Sequence, residues 1–153
     1  MPSGPVAESD SISLAPDRRA ELHRRIIELA RSTLGTPFRH QGRQPGVGLD
    51  CVGLVLWVGH RLGLTQFDLA AYSRFPRERQ LLVHASEAGF VEAARPFKGC
   101  VLCLRLLELP QHLGIMTERG MIHACQSAGR VVEHRLDCSW RDRIVAVLRY
   151  PGT

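Results

Sequence analysis

The chain has 153 residues, 44% hydrophobic and 23% charged, the length and balance of one ordinary globular domain with its own core. No uninterrupted apolar run approaches the roughly 18 residues of a membrane-spanning helix, so a fibrous protein, a transmembrane protein and a large multidomain enzyme are excluded. Lys and Arg outnumber Asp and Glu by 20 to 15, a net +5 that favours an anionic partner.

Residues 1–15 read as a flexible lead-in and 16–153 as a single domain. The segment MPSGPVAESDS has no apolar core of about 7–15 residues, so synthesis in the cytoplasm without a signal peptide is expected. Pro16-Asp17-Arg18-Arg19 opens a helical pattern in which Leu22, Ile26, Leu29 and Thr33 or Leu34 recur at three- and four-residue intervals. Gly35 and Pro37 stop it. Residues 35–49, GTPFRHQGRQPGVGL, hold four glycines and two prolines and predict a structured loop without regular elements. Asp50 is placed to cap a second helix, CVGLVLWVGHRL, ending at Gly63 and apolar enough to be central. A third helix is expected between Pro76 and Gly89, with Leu81, Leu82 and Ala85 facing inward. After Gly99 the period changes, and residues 100–106, 112–117, 121–125, 130–134 and 143–150 read as strands, with Glu118-Arg119-Gly120 as a turn. Helices first and an antiparallel sheet second predict an α+β class.

Cys51, Cys100, Cys103, Cys125 and Cys138 are an odd set in a chain with a real core, which does not read as a disulfide framework. Cys51 stands out. With Asp50 as cap it occupies the first helical position, where unpaired amides and the positive helix end are expected to lower its pKa and favour thiolate. Its own N–H could face an oxyanion. A thiol working on amides needs a base, and two histidines flank the predicted hairpin turn. His112, Gly114 and Met116 share one face of the first strand; Met121, His123 and Cys125 share one face of the second. If Met116 pairs with Met121, Gly114 meets His123 and His112 meets Cys125, leaving both imidazoles on one face. A one-residue slip or a three-residue bulged loop would change that. Gly114 is then expected to leave space between the rings. His134 carries less weight, and Trp140 is expected to cover a sheet edge or groove.

Leu34-Gly35-Thr36-Pro37-Phe38, then Gly48-Leu49-Asp50-Cys51-Val52-Gly53-Leu54-Val55, then His112-Leu113-Gly114-Ile115-Met116 and Ile122-His123-Ala124 follow one another in an order that resembles the NlpC-type cysteine peptidases, especially their phage tail-associated and gene-transfer-agent branch. The resemblance spans about residues 20–150. It implies a papain-like fold, N-terminal helices packed on a C-terminal antiparallel sheet, with Cys51 as nucleophile, His112 as base and His123 as third polar residue. It further implies cleavage of peptide or isopeptide bonds in bacterial cell-wall stem peptides, no metal or organic cofactor, and delivery to the periplasm or cell wall with a phage-like particle whose tail proteins would be partners. Phe38 stands where relatives carry Tyr, Val52 where they often carry Ser, and Cys100 where many carry Asp. Substrate contacts are assigned to Phe38, Arg39, His40, Arg43, Gln44 and Val52, around the loop leading to Cys51. A catalytically silent tail-assembly or hub protein, and an amidase or acyltransferase using the same thiol, are the alternatives. The two basic stretches, from Asp17-Arg18-Arg19 to Arg24-Arg25 and Arg74 with Arg77 and Arg79, lack a recognisable nucleic-acid-binding motif. Cys100 and Cys103 would lie on opposite strand faces, which disfavours a zinc knuckle.

Overall fold

The computed structural model describes residues 14–74, 77, 79–106 and 109–153. The lead-in assigned to residues 1–15 therefore lies outside them except for Leu14 and Ala15, as does Pro76. Helix α1 spans Pro16–Ser32, with Pro at its first turn, where its missing N–H costs nothing, and it buries Ile26, Ile27 and Ala30. It ends in Thr33 and Leu34 before Gly35, whose positive φ of 84° turns the chain away. Arg31 in its last turn grips both carboxylate oxygens of Glu133 at 3.0 and 2.8 Å, which ties the helix to the far end of the sheet.

The glycine-rich loop is more ordered than its composition predicts. Arg43–Gln44 (β1) and Gly48–Leu49 (β2) pair as a minimal antiparallel hairpin. Phe38 makes an isolated bridge to Leu49 and Pro37 one to Arg130. Two of the four glycines make the pairing possible: a Cβ at Gly42 would meet the Gly48 backbone at 2.5 Å, and one at Gly48 the Arg39 side chain at 2.4 Å. Helix α2, Cys51–Arg61, follows at once and buries Val52, Leu54, Val55, Leu56 and Val58, as its apolar sequence requires. Helix α3 is Gln80–Glu87, with Leu81 and Leu82 buried.

Eight strands occur among the described residues, six of them in one antiparallel sheet. Those six are β3 (Val91–Glu92), β4 (Val101–Leu106), β5 (Leu109–Thr117), β6 (Gly120–Cys125), β7 (Arg130–His134) and β8 (Ile144–Arg149), in the order β3-β8-β4-β5-β6-β7. The four-residue helix α4, Cys138–Arg141, precedes β8 and was not foreseen; Asp137 caps it through Trp140 N. This is the α+β arrangement that the order of periods predicts. One sheet face packs on α1 and α2 through Val101, Cys103, Leu113, Ile115, Ile122 and Ala124. The other carries a smaller cluster of Cys100, Leu102, Leu104, Met121 and Val147, covered in part by Trp140. Cys100 and Cys103 thus lie on opposite faces, as alternation requires.

Hairpin β5–β6 has the expected register, Met116 opposite Met121, but its ladder stops at Ile115–Ile122. Gly114–His123 and His112–Cys125 are not paired by their backbones, contrary to expectation. Gly114 also has a different job from the one predicted. A Cβ there would meet Met121 Sδ at 2.2 Å, so the missing side chain makes room for Met121 and not for the two rings.

Gly53 fixes the approach of the loop to α2. A Cβ at this position would lie 1.9 Å from the Gly42 carbonyl oxygen, a backbone atom that cannot swing aside. Gly53→Ala should destabilise the fold by about 1–3 kcal/mol through overpacking. Thermal unfolding should show a melting temperature lower by several degrees.

Candidate active site

The start of α2 is built around one carboxylate. Asp50 is 4% exposed, and its two oxygens accept from Gly53 N (2.7 Å), Gln41 N (2.7 Å), the Tyr72 hydroxyl (2.5 Å) and Arg43 Nη1 (3.4 Å). The predicted cap is therefore made, and the same group draws in the loop and the segment carrying Tyr72. Arg43 also bonds Tyr72 Oη at 2.8 Å and Asp68 at 3.0 Å.

Cys51, the first residue of α2, lines a cavity of about 520 Å³ together with Phe38, His40, Val52, His112 and His123. The structure thus brings Cys51 and the two predicted histidines to one pocket. It also corrects the expected ionisation. Cys51 is partly exposed as a residue, but loss of solvation at the thiol pushes its pKa up to about 12. The Asp50 carboxylate adds to the rise, while the Leu113 and Val52 amides oppose it. Proximity to a helix start does not win against burial beside a negative charge.

The imidazoles form a row. His112 Nε2 lies 2.7 Å from His123 Nδ1, and His123 Nε2 lies 2.7 Å from His134 Nε2. His134 Nδ1 is 2.8 Å from the Arg135 carbonyl oxygen. β6 and β7 explain the third ring: His123 pairs with Val132 and Met121 with His134, so His123 and His134 are diagonal neighbours on one face. Trp140 lies against both, with ring centroids 5.2 and 5.1 Å away. Burial, and then His134, push His112 down to about 4; burial, and then His112 and His134, push His123 down to about 3, so both are neutral near pH 7.

The loop residues divide. Phe38, His40 and Val52 reach the pocket wall. Arg39 sits on an adjoining depression with Phe38, His40 and Arg74, and its Nε bonds Val47 O. Arg43 turns inward to Asp50, Tyr72 and Asp68, and Gln44 lies exposed in β1, so neither lines the pocket as predicted. Tyr72, Arg74, Gln111, Gln126, Ser127 and Arg143 also line it and were not assigned to it from the sequence, whereas Trp140 covers this groove, one of the places expected for it. Gln111 falls at the register shift between β4 and β5, where His112 pairs with Leu104 and Pro110 with Arg105, so strict strand alternation does not hold there. Among the described residues, no three His, Cys, Asp or Glu side chains form a group able to hold a metal ion.

Comparisons with known proteins bear on the fold. No protein-family profile and no curated protein matches the chain. Solved structures do. The NlpC/p60 domain of the peptidoglycan hydrolase SagA is 24% identical with a TM-score of 0.50, over 72% of this chain and 86% of that one. The peptidoglycan hydrolase RipB from Mycobacterium tuberculosis is 21% identical with a TM-score of 0.62, over 89% of this chain and 68% of that one.

The fold is that of an NlpC/p60 domain.

The P60 domain of an antigen from M. avium subspecies paratuberculosis adds a match at 17% identity and a TM-score of 0.57, covering 87% of this chain and 96% of that one. Within this NlpC/p60 fold, helices packed on one face of an antiparallel sheet are the arrangement that the motif order implied.

The neutral imidazoles make stability depend on pH. The unfolded chain protonates histidine near 6.5, whereas His112 and His123 in the fold resist until about 4 and about 3. Between pH 6.5 and about 4 the unfolded state binds more protons, so stability is lost as pH falls through that window. Urea unfolding should show a midpoint that declines from pH 7.5 to pH 5. His123→Leu should flatten the decline.

Proposed function

We propose that this protein is a thiol-dependent hydrolase that cleaves peptide or isopeptide bonds in bacterial cell-wall stem peptides. One observation carries the reading: a cysteine at a helix start shares a pocket with a buried, hydrogen-bonded histidine pair. The solved structures of similar fold include peptidoglycan hydrolases, which supports the same substrate class. Arg74 and Arg143 on the pocket wall suit the carboxylates of stem peptides.

The chemistry follows from the protonation states. Thiol and imidazole rest as a neutral pair, so proton transfer accompanies attack. His112 takes the Cys51 proton as sulfur bonds to the carbonyl carbon, and the carbonyl oxygen becomes an oxyanion. Cys51 N–H, at the first helical position, is the donor we assign to that oxyanion. The C–N bond then breaks, and His112 gives its proton to the departing nitrogen. Water attacks the thioester, its proton passing through His112 to the leaving sulfur. His123 orients the His112 ring, as the third member of a triad does.

We assign the finer role to local opening of peptidoglycan by a phage tail or related particle, on the strength of the motif order, with tail proteins as partners. Delivery to the periplasm or cell wall by that particle belongs to the same proposal.

Digestion of purified peptidoglycan and defined stem peptides, analysed by mass spectrometry, tests the reaction. The parent chain should release new amine and carboxyl termini, and Cys51→Ala should lose at least about 10³-fold in rate while melting within a few degrees of the parent. Equal product from both chains would overturn the mechanism, and no product from the parent would favour a silent assembly protein.

A further inference from the structure

The row of rings does not end where the proposed triad ends. His134 stands beyond His123 and is itself held by a backbone carbonyl, and this order has a chemical consequence. A carbonyl oxygen can only accept, so His134 Nδ1 must carry a hydrogen toward Arg135 O, 2.8 Å away. In a neutral ring, His134 Nε2 is then a lone pair, and it can only accept from His123 Nε2, 2.7 Å away. His123 Nε2 therefore carries that ring's hydrogen and His123 Nδ1 is the lone pair. It in turn accepts from His112 Nε2, also at 2.7 Å. His112 Nε2 holds the last hydrogen, which leaves Nδ1 as its basic atom. One carbonyl, through three rings, decides which nitrogen of His112 can receive a proton.

We propose that His134 is a positioning residue: anchored on the Arg135 carbonyl, it sets the tautomers of His123 and His112 and so presents His112 Nδ1 as the base. The inference rests on the hydrolase reading for its catalytic meaning, but the tautomers themselves do not depend on it. Two features make the row strict. His123 is 1% exposed, so its Nε2 hydrogen has little access to water in place of His134. Trp140 lies over His123 and His134 from α4 and limits solvent on that side. Without an acceptor at position 134, His123 is free to exchange its hydrogen between Nδ1 and Nε2. A hydrogen on Nδ1 would force His112 Nε2 to accept, placing the His112 hydrogen on Nδ1 and blocking the base.

The test combines ring tautomers with turnover on the ¹⁵N-labelled full chain at pH 7.5. Long-range ¹H–¹⁵N correlation should show His112 and His123 protonated at Nε2 and His134 at Nδ1. His134→Phe keeps an aromatic ring but removes the acceptor, and should mix the His112 and His123 tautomers. It should also lower kcat on stem peptides by about tenfold or more with KM nearly unchanged, a fraction of what a general base contributes. His134→Gln places an amide oxygen near the former Nε2 and should restore both tautomers and most of kcat. A merely packing role for His134 predicts the reverse, with Phe tolerated and Gln damaging. Parent His112 protonated at Nδ1, or unchanged tautomers and kcat in His134→Phe, would overturn the proposal. The stated tautomers in a parent chain that cleaves nothing would uphold the ring assignment and overturn the hydrolase reading instead.

Discussion

The arrangement depends on the buried carboxylate of Asp50. A carboxyl group 4% exposed is tolerable only with its lone pairs satisfied, and here donors come from Gly53, Gln41, Tyr72 and Arg43. Those donors belong to the helix, to the glycine-rich loop and to the segment after α2. A single charge therefore holds together three parts of the chain that surround the pocket. The same charge raises the Cys51 pKa, so the group that places the thiol also opposes its ionisation.

That opposition sets the kind of chemistry the site can perform. With burial raising the Cys51 thiol to about 12 and lowering His112 to about 4, both groups of the pocket rest neutral. In the mechanism proposed above, the transfer becomes favourable only as sulfur bonds to a carbonyl and negative charge moves to oxygen, where helix-start amides can meet it. In this frame the direction of each hydrogen in the histidine row matters more than its charge.

Much of this was legible in the sequence, and the parts that were not share a cause. Periodicity located α1, α2 and the five main strands to within a few residues, because each has one clearly apolar face or is apolar throughout. Asp50 before an apolar run announced its cap. Cys51, His112 and His123 were each visible as a reactive residue type beside a turn or helix start. The two-residue strands β1 and β2 carry no periodicity to detect, and α4 is a single turn. His134 was discounted because only the β6–β7 register, Met121 opposite His134, brings it beside His123. Register between non-adjacent residues is a tertiary fact, and no local pattern encodes it. The Cys51 pKa failed for a related reason: the helix-end effect is local, whereas burial and the Asp50 charge depend on what folds around the site.

Tyr72 shows how a departure in one motif can be balanced elsewhere. Phe38 lacks the hydroxyl that its motif position implied, yet it lines the pocket and lies beside His40. Tyr72, from a segment with no recognisable motif, brings a hydroxyl to the same pocket and aims it at Asp50, 2.5 Å away, while its ring meets His40 edge-on. His40 Nε2 in turn lies 3.0 Å from the Tyr72 carbonyl oxygen. The hydroxyl is thus spent on the carboxylate that positions the thiol and is drawn away from any substrate. Phe38 offers an apolar surface where relatives offer a polar one, and Val52 does the same beside Cys51. The pocket lining thus combines apolar Phe38 and Val52 with the charged side chains Arg74 and Arg143.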